Sequence, residues 1–439
     1  MQPTSRQAYI DWLRILAILG VLFFHAAMPF AAEEDWHIRN KETSNVLLEF
    51  NFFLSRFRMP LLFFISGVVS FYMMQKRSAW SFIGLRFRRL FIPLLFGMLV
   101  IIPPQVYMER LTQGYTGSYW QFYPSIFEFQ PYPEGNTSWH HLWFIAYLFV
   151  YDLVCAPLFA WLISGKAKGF IRSLGWLAKG NRIYLLMIPS IVVFASLALR
   201  FERTDDLIHD YTYLPYWFLF LLIGFICISN ATLMDSLERN RRVSLSWGLI
   251  LLVGFNYMRW NSLEPWDVNP DTWRSNPWTY GYLAMIPALA WTWVFALTGY
   301  GKKYLNRKTS FSSYATNAVY PFYILHQTVI VILAYYVVGA NDSVMAKYFF
   351  LAFTSLFITI AICHLLIQPY NVTRFLFGMK PGKKLEVGGS KLDVSTEPSN
   401  VQLPNVSKGV LSDQTPTSNL QPPTSNTQHP IPNLQQFLA

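Results

Sequence analysis

Charge is what this sequence has least of. Only 13% of its 439 residues are Asp, Glu, Lys or Arg, against 53% hydrophobic residues. A water-soluble domain usually carries about a quarter of its residues as charges, so this composition does not suit a soluble globule. Cysteine is scarce too. Cys155, Cys227 and Cys363 all fall in apolar stretches. They read as small buried hydrophobes, with neither a disulfide framework nor a zinc spacing. The histidines show no metal-ligand spacing on one helix, so no metal is expected. The chain also has no phosphate-cradling glycine-rich loop and no Gly-x-Ser-x-Gly elbow.

Long apolar runs fill the space that charge leaves. A bilayer-spanning helix needs about 20 such residues. Candidate segments centre near residues 20, 60, 98, 150, 191, 221, 252, 288, 328 and 356. The expected fold class is therefore all-α, a polytopic membrane bundle of about ten transmembrane helices. The first segment is too long for a cleaved signal peptide, and its interior Arg and His argue against one as well.

The net charge of +11 is unevenly placed. With the N-terminus inside, four inner loops collect Lys76, Arg77, Arg86, Arg88 and Arg89, then Lys166, Lys168, Arg172, Lys179 and Arg182, then Arg239, Arg241 and Arg242, then Lys302, Lys303, Arg307 and Lys308. The alternate loops hold few basic residues and most of the loop acids, including Glu33, Glu34, Asp35, Asp205, Asp206, Asp210, Asp267 and Asp271. This alternation follows the positive-inside pattern. It predicts a bacterial inner-membrane protein with both termini in the cytosol, and it argues against nucleic acid as the partner of the basic residues. Orientation and contact with lipid head groups account for the basic loops.

Residues 1–378 read as the membrane domain. Two outer loops, Tyr107 to His140 and Trp260 to Trp278, are rich in aromatics and proline. From 379 to 439 the sequence turns to Pro, Ser, Thr, Asn and Gln, and Pro-Thr-Ser-Asn occurs twice. Such a segment has too little apolar surface to offset its ordering entropy and is expected to be a disordered cytosolic tail.

Arg14 and His25 share the first apolar segment. At about 100° and 1.5 Å per residue, eleven steps put both on one helix face, roughly 16 Å apart in depth. Ionisable groups inside a bilayer are expensive and usually face a protein or water-filled interior. Snorkelling of Arg14 and a core hydrogen bond for His25 are the plain alternatives. In the second segment Arg56 and Arg58 point differently, so at least one needs a buried partner; Asp152 is at a similar depth. A structural Arg–Asp pair and a substrate contact both satisfy that need. Pro60 is expected to kink this helix, and Ser66-Gly67 to permit a close helix approach. His141 falls at the outer boundary and His326 near mid-bilayer, while His364 reads as structural.

Taken in order, these motifs resemble the acyltransferase-3 family of integral membrane acyltransferases. The resemblance covers roughly residues 7 to 370. It rests on Asp11-Trp12-Leu13-Arg14 with Phe24-His25 and Pro29-Phe30. Met59-Pro60-Leu61 through Ser66-Gly67, Arg86-x-x-Arg89-Leu90 with Pro93, His141-Leu142-Trp143-Phe144 and the run to His326 support it. Within the family the chain looks most like the glucan-biosynthesis C branch, associated with succinylation of periplasmic glucans. The resemblance implies transfer of an acyl group, acetyl or succinyl, from cytosolic acyl-coenzyme A to a hydroxyl of an envelope carbohydrate. Coenzyme A would be a donor substrate and no cofactor would be permanently bound. His25 and Arg14 would be catalytic. Arg58, His141, His326, Arg86 and Arg89 would bind substrate. Some family members append a soluble periplasmic domain, so a separate envelope partner protein is a further expectation. The competing readings are a multi-helix transporter of a small anionic or sugar-linked substrate, and a membrane scaffold.

Overall fold

A computed structural model describes residues 7–32 and 36–382. The acids Glu33, Glu34 and Asp35 lie outside the described residues, and so does the tail from residue 383. Among the described residues there is no β-strand beyond isolated bridges. The main helices are α1 (Ala8–Ala27), α2 (Asn45–Ser55), α3 (Arg58–Met74), α4 (Ala79–Thr112), α5 (Trp143–Ile163), α6 (Ile188–Leu197), α7 (Tyr213–Ser229), α8 (Ala231–Arg239), α9 (Arg241–Trp260), α10 (Pro277–Tyr304), α11 (Ser310–Val337), α12 (Val344–Ile362) and α13 (Asn371–Leu376).

Among the described residues seven helical segments are long and apolar enough to cross a membrane, and up to nine if each of two bent pairs is one span. The bends are 119° between Gly165–Ala178 and Arg182–Leu197, and 105° between α7 and α8. The tenth expected segment is α9, a 20-residue helix lying along α10. Arg241, Arg242, Asn256 and Arg259 dilute its apolar character. The protein is thus an all-α membrane protein.

Two local expectations change. Pro60 does not kink a continuous helix. The chain breaks at Phe57, and Pro60 is the third residue of α3, where a backbone N–H has no intrahelical acceptor anyway. The stretch holding Arg86, Arg88 and Arg89 is helical rather than a loop. Arg89 lies in a wide turn, Phe87–Phe91, closed by the Ile92 N–H on the Phe87 carbonyl. Such i→i+5 turns inside α-helices are rare and frequent at functional sites.

Helices α3 and α7 cross at two glycines. A Cβ on Gly67 would stand 1.9 Å from the Leu221 carbonyl oxygen, and one on Gly224 would stand 2.1 Å from that of Phe64. Backbones this close permit no side chain between them, which is how small residues drive helix association in lipid. Around the crossing, Phe220 stacks on Trp291 and Phe159 on Phe225, each at 4.1 Å. Gly67→Ala or Gly224→Ala should therefore force the helices apart and cost about 1–3 kcal/mol or more. Loss of the monodisperse peak in detergent size-exclusion would show this, whereas a wild-type melting temperature would refute it.

The connection into α7 carries a titrating group. Asp210 is fully buried and accepts a hydrogen bond from the Tyr147 hydroxyl at 2.6 Å. Burial pushes its carboxyl up to about 6; the Tyr147 hydrogen bond pulls the other way, the Asp205 charge adds to the rise and Arg203 opposes it. An unfolded Asp titrates near 3.9. The folded state therefore binds the proton more tightly, and stability rises as pH falls through about 6 towards 4. Melting temperatures between pH 7.5 and 5 should show this gain in the wild type and a smaller one in Asp210→Asn.

Candidate active site

Helices α1 and α11 run side by side, and two hydrogen bonds tie them at different depths. Arg14 Nη2 donates to the Thr316 carbonyl at 3.0 Å. Eleven residues along α1, His25 Nδ1 and His326 Nε2 are 2.9 Å apart. The shared face expected for Arg14 and His25 is therefore the face that meets α11. Asp11 also approaches Arg14, at 3.8 Å.

The backbone fixes the protons on the two imidazoles. His326 Nδ1 lies 2.6 Å from the Tyr323 carbonyl, which can only accept. His326 therefore carries its proton on Nδ1, and its Nε2 accepts from His25. His25 is then protonated on Nδ1 and keeps a lone pair on Nε2, for which no partner occurs among the described residues. Its ring remains partly exposed while His326 is fully buried. The two rings stack at 5.1 Å with 12° between their planes.

His141 completes a trio. Its ring centroid is 5.1 Å from His326 and 6.4 Å from His25. It is buried, not merely at a solvated boundary as its sequence position suggests, and its Nε2 donates to the Ile324 carbonyl at 3.0 Å. The Tyr323 hydroxyl donates to the His141 carbonyl. Arg58 reaches the same neighbourhood, its guanidinium 3.2 Å from the Phe24 ring centroid and within electrostatic range of His25 and His326. Among the described residues no group of His, Cys, Asp and Glu is arranged to hold a metal ion.

The arginines separate into distinct environments. Arg56 turns away from the histidines, lying 4.2 Å from the Phe52 ring and donating to the Phe52 carbonyl and Ser55 hydroxyl. The acid expected for one of them, Asp152, goes to neither Arg56 nor Arg58. Asp152 instead pairs with Arg86 at 2.8 Å and accepts from Ser70 at 2.9 Å, and Arg86 donates to Ser70 at 2.6 Å. Arg86 is 5% exposed and Asp152 fully buried. Arg89, one turn on, makes no side-chain hydrogen bond or ion pair among the described residues.

Below the histidines, at the Arg14 end of the bundle, lies a cavity of about 360 Å³. Arg14 and Ile18 of α1, Arg86 and Arg89 of α4, and Tyr320 and Tyr323 of α11 line it. Basic side chains occur in its wall and no acidic ones. Tyr323 closes the end towards the imidazoles, its ring 5.7 Å from His326. His364 faces elsewhere, within 3.2 Å of the Tyr314 hydroxyl.

A second polar layer lies beyond the trio, on the side away from the cavity. His37 Nδ1 donates to Glu109, which also accepts from the Tyr132 hydroxyl at 2.9 Å. Gln327, next to His326 in sequence, approaches His37 Nε2 at 3.3 Å. His140 packs its ring 4.5 Å from His37 and takes a positive φ of 37°. A non-glycine residue held in that region stores about 1–3 kcal/mol. The turn lets adjacent histidines serve different layers. Sequence reading passed over His37, Glu109, Tyr132, His140 and Gln327. The acid at Glu109, just past the third apolar segment, and the paired His140-His141 were the signals available.

A membrane helical bundle with a hydrogen-bonded imidazole pair set above a cationic cavity is the class of molecule described here. A family model described as an acyltransferase domain, Acyl_transf_3, matches residues 7–367, and the chain belongs to that acyltransferase-3 family. The protein is an acyltransferase. It is similar to Glucans biosynthesis protein C of Shigella dysenteriae serotype 1 (strain Sd197), with 24% identity over 354 residues, 76% of this chain and 85% of that protein. The protein of the same name from Escherichia coli (strain K12) is 23% identical with the same coverage. No solved structure matches the chain.

Removing only one partner of a buried ion pair strands a charge, at a cost of about 3–5 kcal/mol. Asp152→Ala should accordingly lower the melting temperature sharply, and Asp152→Leu combined with Arg86→Met should recover much of the loss. Equal melting temperatures for Asp152→Ala and wild type would contradict the pairing.

Proposed function

We propose that the protein moves an acyl group, acetyl or succinyl, from cytosolic acyl-coenzyme A across the bilayer to a hydroxyl of an envelope glycan or related carbohydrate. The observation that carries this reading is the tautomer chain ending in a lone pair on His25 Nε2, aligned along α1 and α11 with the cationic cavity. In this reading the cavity end faces the cytosol and the His37–Glu109 layer faces the envelope, an orientation that the distribution of basic loops supports. The relatives' names, which speak of glucan biosynthesis, support a carbohydrate acceptor.

The phosphates of the donor lie against the basic wall, where Arg89 has no competing carboxylate. Arg86 is less suited than Arg89, because Asp152 already neutralises it. The pantetheine arm runs past Arg14, whose side chain is held by Thr316, and brings the thioester to His25. The acceptor hydroxyl attacks the thioester carbonyl while His25 Nε2 takes its proton. His326 Nε2 accepts from His25 Nδ1 and shares the positive charge that develops. Arg58 stabilises the oxyanion. The C–S bond then breaks, and the thiolate recovers the proton from His25 Nε2, so that ester and free thiol are the products. His141 holds Tyr323 through its own carbonyl and so shapes the passage between cavity and imidazoles.

His25→Ala should lower thiol release from acyl-coenzyme A by about 10²- to 10⁴-fold while the protein still inserts and folds. The assay is free-thiol release by purified protein in lipid nanodiscs with an added glucan acceptor. Undiminished turnover in His25→Ala rejects the base assignment. Absence of thiol release from the wild type rejects the donor, and is what a carrier would give.

A further inference from the structure

The matched family region ends at residue 367. The described chain continues to residue 382, and this continuation returns to the cavity. Residues 368–382 form a short strap built around α13, and Arg374, Gly378, Met379 and Lys380 join the cavity wall. The strap is held in shape by its own hydrogen bonds. Arg374 Nε donates to the Lys380 carbonyl at 2.7 Å and Nη1 to the Gln368 carbonyl at 2.9 Å. Gly382 N donates to the Asn371 side chain at 2.9 Å. Buried Phe377 packs on Phe96 of α4 at 5.3 Å.

Gly378 marks where the strap docks. Its φ is +67°, a backbone region open to glycine, and a Cβ there would stand 2.6 Å from the Arg89 carbonyl oxygen and 2.8 Å from the Tyr320 ring. Only a residue without a side chain both turns there and fits against the wide turn that carries Arg89. The strap and Arg89 are therefore positioned by one contact.

Charge gives this contact a purpose. Of the six basic side chains on the wall, Arg14 has Asp11 nearby and Arg86 has Asp152. Arg77, Arg89, Arg374 and Lys380 have no carboxylate partner among the described residues. Two of these four come from the strap. Uncompensated cations gathered around a concave wall form a site for a polyanion, and guanidinium forks suit phosphate oxygens in particular. A diphosphate with an added phosphomonoester carries about four negative charges near neutral pH.

We propose that the strap at 368–382 is a phosphate clamp, in which Arg374 and Lys380 complete with Arg77 and Arg89 the subsite for the nucleotide phosphates of acyl-coenzyme A. This rests on the donor reading above and goes beyond it. Recognition of the donor's anionic end would depend on residues that lie outside the acyltransferase domain proper. An acyl-pantetheine, which lacks the phosphates, would bypass the clamp.

The test uses full-length protein in nanodiscs of zwitterionic lipid. Calorimetry measures coenzyme A binding, and thiol release is followed with acyl-coenzyme A and with acyl-pantetheine. Lys380→Glu changes an exposed side chain and leaves the strap's hydrogen bonds intact; Arg374→Gln and Gly378→Val test the guanidinium and the docking contact. Each should weaken coenzyme A binding about tenfold or more, or 1.4 kcal/mol. The Lys380→Glu deficit should shrink at high salt, and turnover of acyl-pantetheine should stay at the wild-type level. Wild-type coenzyme A affinity in Lys380→Glu and Arg374→Gln would overturn the clamp while leaving the donor reading in place. Coenzyme A failing to bind the wild type would overturn both. Wild-type coenzyme A affinity in these variants, together with weaker binding of a phosphatidylglycerol head group, would assign the cations to lipid and overturn the clamp as well.

Discussion

The seam between α1 and α11 is the constraint on which the site depends. Lipid offers no water to polar side chains, so a guanidinium or an imidazole in a span must find its partner in a neighbouring helix or in a wet cavity. Arg14 and His25 find theirs on the same helix, at Thr316 and His326. The two bonds are eleven residues apart on α1 and ten apart on α11, close to three helical turns in each. They fix the relative height and rotation of the helices. Because the Tyr323 carbonyl then dictates the proton on His326, the state of His25 is settled by backbone geometry two groups away. A rotation of either helix would release that proton order as well as the bond.

Packing elsewhere holds the seam still. The α3–α7 crossing, locked by Gly67 against Leu221 and Gly224 against Phe64, anchors the helix that starts with Arg58. The same helix ends near Ser70, where the buried Arg86–Asp152 pair ties it to α4 and α5. One helix thus carries an arginine beside the imidazoles at one end and an anchor to the cavity wall at the other. Buried ion pairs are seldom a net gain in stability over apolar packing. Here the pair sets α4 at a height that leaves Arg89 facing the cavity.

Sequence reading reached the bundle, the apolar segments and the Arg14–His25 face, because helical periodicity and bilayer thickness are one-dimensional constraints. It also identified the bearers of buried charge. It could not assign their partners. Sequence depth placed Asp152 near Arg58, yet it is taken by Arg86 and by Ser70, the latter twelve residues along α3 from Arg58; only the way α4 folds against α5 decides that. The left-handed turn at His140 was equally invisible, since it sends neighbouring histidines to different layers without any glycine to announce it. His37 lies between spans and shows no periodicity, so its pairing with Glu109 appears only when the chain is folded. Met379 and Lys380, whose sequence surroundings carry no helical periodicity, join the cavity wall only in the folded chain.

Arg86 and Arg89 show why a motif of two basic residues does not define two equal sites. Three residues apart on a regular α-helix, they would share a face and compete for the same anion. The wide turn at Phe87–Phe91 rotates through a smaller angle per residue than an α-helix, so the two side chains no longer share a face. Arg86 is thereby delivered to Asp152 and Ser70 inside the bundle, and Arg89 to the opening of the cavity beside the strap glycine. The first arginine gives up its charge to hold α4, α5 and α3 together. The second keeps its charge for a ligand because the first has fixed the helix it stands on. Structural and binding roles are thus divided within one motif by a single irregular turn, and the division follows from where the nearest carboxylate lies rather than from the residue type.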